Sequence, residues 1–219
     1  KRFMHENQIP TANFCIIKKY ELLIEYINSK DTIDYVFKYS GLAGGKGVFV
    51  TDSKEEMLMN AKDVFINNKF NDNNIEVILE EKLIGQEVSI MGFCNGNDIE
   101  LMPQSQNYKK IYDGDLGFVG MGSRAPVYIL TSLELEEVKT HMLKVVKQLN
   151  YKGILYAGIM KTSDGIYFLE FNCRLGDPEA QVLLNLLDLE QCDLYDIFTS
   201  CINGTSINVS WKKHMSQIV

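Results

Sequence analysis

Phe168-Leu169-Glu170-Phe171-Asn172-Cys173-Arg174-Leu175-Gly176-Asp177-Pro178-Glu179-Ala180-Gln181 runs from an alternating apolar stretch through a polar turn toward a helix. Alternation places Glu170 and Asn172 on one face of the predicted strand, where two oxygen ligands can meet one hard cation while phosphates and water supply the rest. Magnesium suits that donor set better than zinc. Arg174 can hold a carboxylate or a transferring phosphoryl group in a planar fork, and Asp177 near a helix start can receive an ammonium group. A plain strand-to-helix connection, with Asp177 as N-cap and Pro178 at the first helical position, accounts for those two residues. It gives no reason for Glu170, Asn172 and Arg174.

Working upstream, Lys38-Tyr39-Ser40-Gly41-Leu42-Ala43-Gly44-Gly45-Lys46-Gly47 lies between two predicted strands. Its glycines allow the backbone to approach an anion and turn N–H groups toward it, and Lys38 and Lys46 flank the nest. The loop is not a Walker A motif, because Gly47 stands where Ser or Thr would hold magnesium and no helix is predicted to begin there. By itself the loop reads equally as a glycine-rich hairpin with solvated lysines. Glu80-Glu81-Lys82-Leu83-Ile84-Gly85-Gln86-Glu87 joins two predicted lobes, where exposed backbone can pair with an adenine edge and a carboxylate seven residues on can accept from ribose hydroxyls. Alone, these glutamates also read as solvated strand-end charges.

The rest of the chain organises around these segments. A short helix end leads to a loop at Gln8-Ile9-Pro10, a helix spans Lys18 to Lys30, and Asp31-Thr32 breaks it before a strand from Ile33 to Lys38. A strand at 48–51, a helix capped by Asp52 or Ser53 and a strand at 75–81 complete a small α+β lobe. Strands at 87–93 and 99–104 follow around the turn Asn95-Gly96-Asn97-Asp98, and Gln106 to Ala125 is expected to be a long glycine-containing loop. Thr131 and Glu134 have capping-box spacing before the stripe Leu135, Val138, Met142, Val145, Val146, Leu149, which predicts a long amphipathic helix. A hairpin at 153–171, a helix to about Leu187 and a last helix at 193–202 close the larger lobe.

The 219 residues, 46% hydrophobic, suffice for one large domain or two small lobes. A net charge of -7 argues against a nucleic-acid-binding surface but leaves room for a small phosphorylated ligand in a locally basic site. No apolar run is long enough to span a bilayer, and the opening residues do not continue into a signal peptide, so a cytoplasmic setting is expected. The five cysteines are widely spaced and read as reduced thiols rather than metal ligands.

In this order, the segments resemble the ATP-grasp superfamily. Arg174-Leu175-Gly176-Asp177-Pro178-Glu179-Ala180-Gln181 looks like the diagnostic motif of the phosphoribosylamine–glycine ligase (glycinamide ribonucleotide synthetase) family of purine biosynthesis. Ile9-Pro10-Thr11-Ala12, the loop from Lys38 to Gly47, Glu80-Glu81, Ser105-Gln106 and Leu155-Tyr156-Ala157-Gly158 are similar to the same family. The resemblance implies an α+β ATP-grasp fold with a nucleotide cleft between two lobes: a small lobe at 1–82, a large lobe at 83–202, and the start of a further domain at 203–219. It implies ATP with magnesium, or manganese as an alternative. Lys38, Gly44, Gly45 and Lys46 would meet the phosphates, the Glu80 side chain and the backbone of Glu81 and Leu83 the adenine, and Glu87 the ribose. Glu170 and Asn172 would hold the metal, while Arg174, Asp177 and Lys46 would act on the substrates, glycine and phosphoribosylamine. The family's amino-terminal domain is missing from the chain, and the carboxy-terminal one would only begin here.

Two stretches depart from the family pattern. Ser105-Gln106-Asn107-Tyr108-Lys109-Lys110 stands where the family carries Ser-Gln-Asp-His-Lys-Arg, and Asp115 to Gly122 is shorter and more apolar than the usual loop. An ATP-grasp ligase with another carboxylate and amine, and a non-catalytic nucleotide-binding module, are therefore the alternatives.

Overall fold

The computed structural model describes residues 1–29, 34–41, 43, 46–51, 53–112 and 116–218, without the side chains of 109–112 and 116–121. The chain forms two compact units, one made of Ala12–Leu83 and the other of Lys1–Thr11 together with Ile84–Val219. Helix α1 (Arg2–Glu6) opens the larger unit. The expected division put residues 1–11 with the small lobe, and the structure places them elsewhere for a plain reason. Met4 and Ile9 are buried in the larger unit's core, Phe168 N–H donates to the Pro10 carbonyl at 2.8 Å, and Thr11 Oγ1 donates to the Phe168 carbonyl at 2.7 Å.

The smaller unit contains β1 (Phe14–Ile17), α2 (Tyr20–Asn28), β2 (Tyr35–Tyr39), β3 (Val48–Val50), α3 (Lys54–Phe65) and β4 (Val77–Glu81). Its antiparallel sheet has the order β1-β4-β2-β3. Leu23 and Ile27 from α2 and Met57, Ala61 and Val64 from α3 bury against Phe37, Val77 and Leu79. These positions recur at helical spacing on the helices and at every second residue on the strands, so a single apolar face of each element is consumed. Ser53 caps α3 by accepting from Glu56 N–H at 3.2 Å. Asp52, the other candidate cap, and the break at Asp31-Thr32 lie outside the described residues.

In the larger unit, β5 (Gln86–Asn95), β6 (Ile99–Leu101), β9 (Lys152–Lys161) and β10 (Ile166–Asn172) make an antiparallel sheet of order β10-β9-β5-β6. Helix α4 (Ser132–Leu149) packs on one face through Val138, Met142, Val145 and Val146. Its capping box is complete: Thr131 Oγ1 accepts from Glu134 N–H, and Glu134 Oε2 accepts from Thr131 N–H at 2.7 Å. Helices α5 (Glu179–Leu186) and α6 (Leu194–Asn203) cover part of the other face through Val182, Leu183, Leu186 and Ile197.

The expected long loop at 106–125 is instead a hairpin, β7 (Gln106–Tyr112) paired with β8 (Leu116–Ala125), and β11 (Ser216–Ile218) adds a third strand to it. Glycines at 117, 120 and 122 lower strand propensity, which the ladder of cross-strand hydrogen bonds overrides. Residues 203–219, expected to start a separate domain, belong to the same compact unit: Leu187 bridges Trp211, and Ser216 to Ile218 pair with Ala125 to Ser123.

Candidate functional site

Glu170 and Asn172 share a face as alternation predicts, but which face it is depends on an irregularity just before them. Phe168 pairs with Ile159, but Glu170 pairs with Gly158, so Leu169 is an extra residue on β10. Without this bulge Phe168 and Glu170, two apart, would share a face. With it, Phe168 enters the core beneath α4 while Glu170 and Asn172 point to the opposite face, where Asn172 Nδ2 donates to Glu170 Oε1 at 2.8 Å.

The same register aligns Glu87 opposite Met160, Ser89 opposite Gly158 and Tyr156 opposite Asn172, so all these residues share that face. Helix α5 begins there. Its first residue, Glu179, is 1% exposed, accepts from Ser89 Oγ at 3.0 Å, and leaves Oε2 buried with no hydrogen-bond partner. Ser89 Oγ is also 2.9 Å from the Tyr156 hydroxyl. Burial pushes the Tyr156 phenol well above its ordinary range, and the carboxylates of Glu179, Glu170 and Glu87 add to the rise. Sequence reasoning did not single out Ser89, Tyr156 or Glu179 as site residues. Position inside the octapeptide was the one signal for Glu179.

The turn before α5 corrects the simple cap. Pro178 rather than Asp177 is the N-cap, and no side chain caps the helix. The Asp177 carboxylate instead accepts from Gln181 Nε2 at 2.8 Å and is exposed. Arg174 is exposed too, with Nη1 donating to the neighbouring Leu175 carbonyl at 2.9 Å. A Cβ at Gly176 would lie 2.5 Å from the buried Glu179 carboxylate, which would have to shift to make room. Gly176 N–H points to the Met91 sulfur at 3.5 Å, which ties the turn to β5.

In the smaller unit, Val36 pairs with Glu80, so Lys38 lies diagonally from Glu80 on the same face. The two side chains form a direct ion pair, with Glu80 only 2% exposed. Glu81 is exposed at the end of β4; its N–H donates to the Asn13 carbonyl at 2.9 Å and its carboxylate accepts from Asn13 Nδ2 at 3.0 Å. Leu83 is half-buried two residues further on. Lys46 is exposed and its N–H donates to the Ala43 carbonyl at 3.0 Å. Gly44 and Gly45 lie outside the described residues.

Residues 1–180 match the family model described as phosphoribosylglycinamide synthetase, ATP-grasp (A) domain. The chain belongs to this family. It is 38% identical to a phosphoribosylamine–glycine ligase of Listeria monocytogenes, over 97% of the chain and 52% of that protein. It is also 38% identical to the human trifunctional purine biosynthetic protein adenosine-3, over all of the chain and 22% of that protein. Among solved structures, the phosphoribosylamine–glycine ligase of Thermotoga maritima superposes with a TM-score of 0.84 at 34% identity, covering 99% of the chain and 56% of the other. The chain thus spans about half the length of its single-activity relatives. An N5-carboxyaminoimidazole ribonucleotide synthetase from Thermus thermophilus, 16% identical with a TM-score of 0.70, shares the fold alone. The α+β ATP-grasp architecture expected from the resemblance is therefore the one the chain adopts.

Among the described residues no three His, Cys, Asp or Glu side chains gather as a metal site. Glu170 and Asn172 nevertheless fit magnesium, which takes one or two protein oxygens and fills its octahedron with water and substrate phosphates, and they do not fit zinc. No helix among the described residues is long and apolar enough to cross a membrane.

Proposed function

We propose that this chain is the ATP-binding part of an enzyme that joins glycine to phosphoribosylamine, giving glycinamide ribonucleotide in purine biosynthesis. The observation that carries the reading is that Glu170, Asn172 and Glu87 share one face of the β10-β9-β5 sheet, to which the Arg174–Asp177 turn is tied through Gly176 and Met91, in a family whose relatives bear the ligase's name. A carboxylate oxygen of glycine attacks the terminal phosphorus of ATP and expels ADP. The amine of phosphoribosylamine then attacks the acyl carbon, phosphate leaves, and a proton is released.

Lys38, Lys46, Gly44 and Gly45 are assigned to the phosphates, Glu80 and the backbone of Glu81 and Leu83 to adenine, and Glu87 to ribose. Glu170 and Asn172 would hold magnesium, or manganese in its place, and a cation bound there would supply charge neutralisation for the transferring phosphoryl group. Arg174 positions a carboxylate or phosphoryl oxygen as a planar fork, and Asp177 faces substrate as an exposed anion. The direct Lys38–Glu80 pair supports a joint role, in which a buried carboxylate orients the cation. Further segments of the parent protein would complete the substrate sites. Five free thiols and a net charge of -7 fit a cytoplasmic enzyme of small molecules, without nucleic acid or membrane partners.

A second reading keeps the chemistry and changes the amine. Arg124 stands over the Tyr108 ring at 5.7 Å, and Tyr108 hydroxyl donates to Gln106 Oε1 at 3.3 Å, an aromatic arrangement at a stretch that departs from the family pattern. ADP release by the full-length protein, measured with and without glycine and with and without freshly made phosphoribosylamine, separates the two. Dependence on both supports the first reading; dependence on glycine alone supports the second. Dependence on neither overturns both.

A further inference from the structure

An ionised Glu179 gives the buried Glu179–Ser89–Tyr156 chain one polarity. A serine hydroxyl carries a single proton. With Glu179 as the ionised partner, Ser89 gives it to Glu179 Oε1, and the 2.9 Å contact with Tyr156 is then filled by the phenol donating to Ser89 Oγ. The phenol oxygen therefore keeps only acceptor capacity for anything in front of it. Glu179 and Ser89 are 1% and 2% exposed, and Tyr156 is 7% exposed. Glu179 has a second oxygen with no donor. Burying a carboxylate on one neutral hydroxyl opposes folding, so this arrangement is explained by a ligand better than by stability. In front of the chain, Gly158 places no side chain between Ser89 and Glu170; a Cβ there would stand 3.6 Å from Tyr156 Cε1 and 3.4 Å from Glu170 Cγ.

An anion is repelled from this spot by Glu179, Glu170 and Glu87, whereas a small cation with N–H donors is drawn to it. Glycine offers one such group. We propose that Tyr156 is a recognition residue for the amino-acid substrate: its phenol oxygen, locked as an acceptor through Ser89 by Glu179, receives an N–H of the substrate's primary ammonium group. Glu179 supplies the balancing charge from behind, and Glu170 and Asn172 remain for the metal. This inference rests on the ligase reading.

The test is steady-state ADP release by the full-length protein and its Tyr156→Phe and Ser89→Ala variants, with glycine, MgATP and free magnesium each varied. A hydrogen bond to a charged group is worth about a tenfold or greater change in affinity. Tyr156→Phe is expected to raise KM for glycine about tenfold, with KM for MgATP and the magnesium half-saturation within about twofold of the parent. Ser89→Ala keeps the phenol but frees its proton, and is expected to raise KM for glycine by a smaller factor; as a small truncation it also carries the test if Tyr156→Phe does not fold. Unchanged glycine KM in both variants, equal rises for glycine and MgATP, or a shift confined to magnesium would each overturn the inference. Parent protein whose ADP release ignores glycine would instead bring down the ligase reading, before any variant is compared.

Discussion

Lys38 and Glu80, assigned above to the proposed nucleotide site, also form an ion pair that bears on stability. The Glu80 carboxylate is buried, and removing Lys38 takes away the cation it pairs with. Lys38→Met should destabilise the protein by about 3 kcal/mol in urea unfolding, while Lys38→Met combined with Glu80→Leu should regain most of it, because the charge leaves with its partner. Gly176 and Glu179 are coupled by space. Gly176→Ala forces its Cβ onto the Glu179 carboxylate and should cost about 1–3 kcal/mol. The same substitution in a Glu179→Ala background should cost much less, and a double-mutant cycle by thermal unfolding would measure that coupling. Additive losses would show that Gly176 is needed for some other reason. Glu170 and Asn172 were legible as a pair from their spacing, but Ser89, Tyr156 and Glu179 were not. They stand on three elements far apart in the chain, and only strand register and the start of α5 bring them together.

Helix α4 is the element most completely written into local sequence. Its capping box is complete and Val138, Met142, Val145 and Val146 of its apolar stripe are buried, while Leu149 at the end of the stripe is exposed; the left-handed Asn150 that ends the helix was not read from the sequence. Lys161 first, and then the Thr131 backbone N–H, hold the Glu134 carboxyl down at about 2, against an ordinary value of 4.5. A lowered carboxyl stabilises the fold above its unfolded value and stops doing so as pH falls through the folded one. Glu134→Gln should therefore cost about 1 kcal/mol above pH 4.5, a modest figure because the group is partly solvated, and the difference should vanish near pH 2. Unfolding curves of both proteins across pH 2–7 check this; a loss independent of pH would assign the effect to capping alone. Strands β7 and β8 are the counterexample. Their glycines read as loop, because strand pairing is a bond between segments and leaves a weak mark within either one. The Leu169 bulge was hidden for the same reason: an extra residue on β10 is defined only against its partner β9.

At the scale of the molecule, a nucleotide that binds only the folded form should raise its stability by mass action. MgATP at a hundred times its Kd contributes about 2.7 kcal/mol, and for a chain of this length Tm should rise by about 5–10 °C. Chelation should remove the metal-dependent part of that rise, and Glu170→Gln should shrink it in the presence of magnesium. An undiminished shift in the variant would remove Glu170 from the metal site. By itself the sequence determined the α+β class, the long capped helix, the hairpin that carries Glu170 and Asn172, and the octapeptide that marks the family. These are local signals, set by periodicity, capping and short-range spacing. Only the tertiary structure assigned residues 1–11 and 203–219 to the larger unit, paired β11 with β8, turned Glu170 away from Phe168, and buried Glu179 behind Ser89 and Tyr156. Each of those outcomes depends on which distant segment wins the hydrogen bonds and apolar area of another, a competition that no single stretch of chain records.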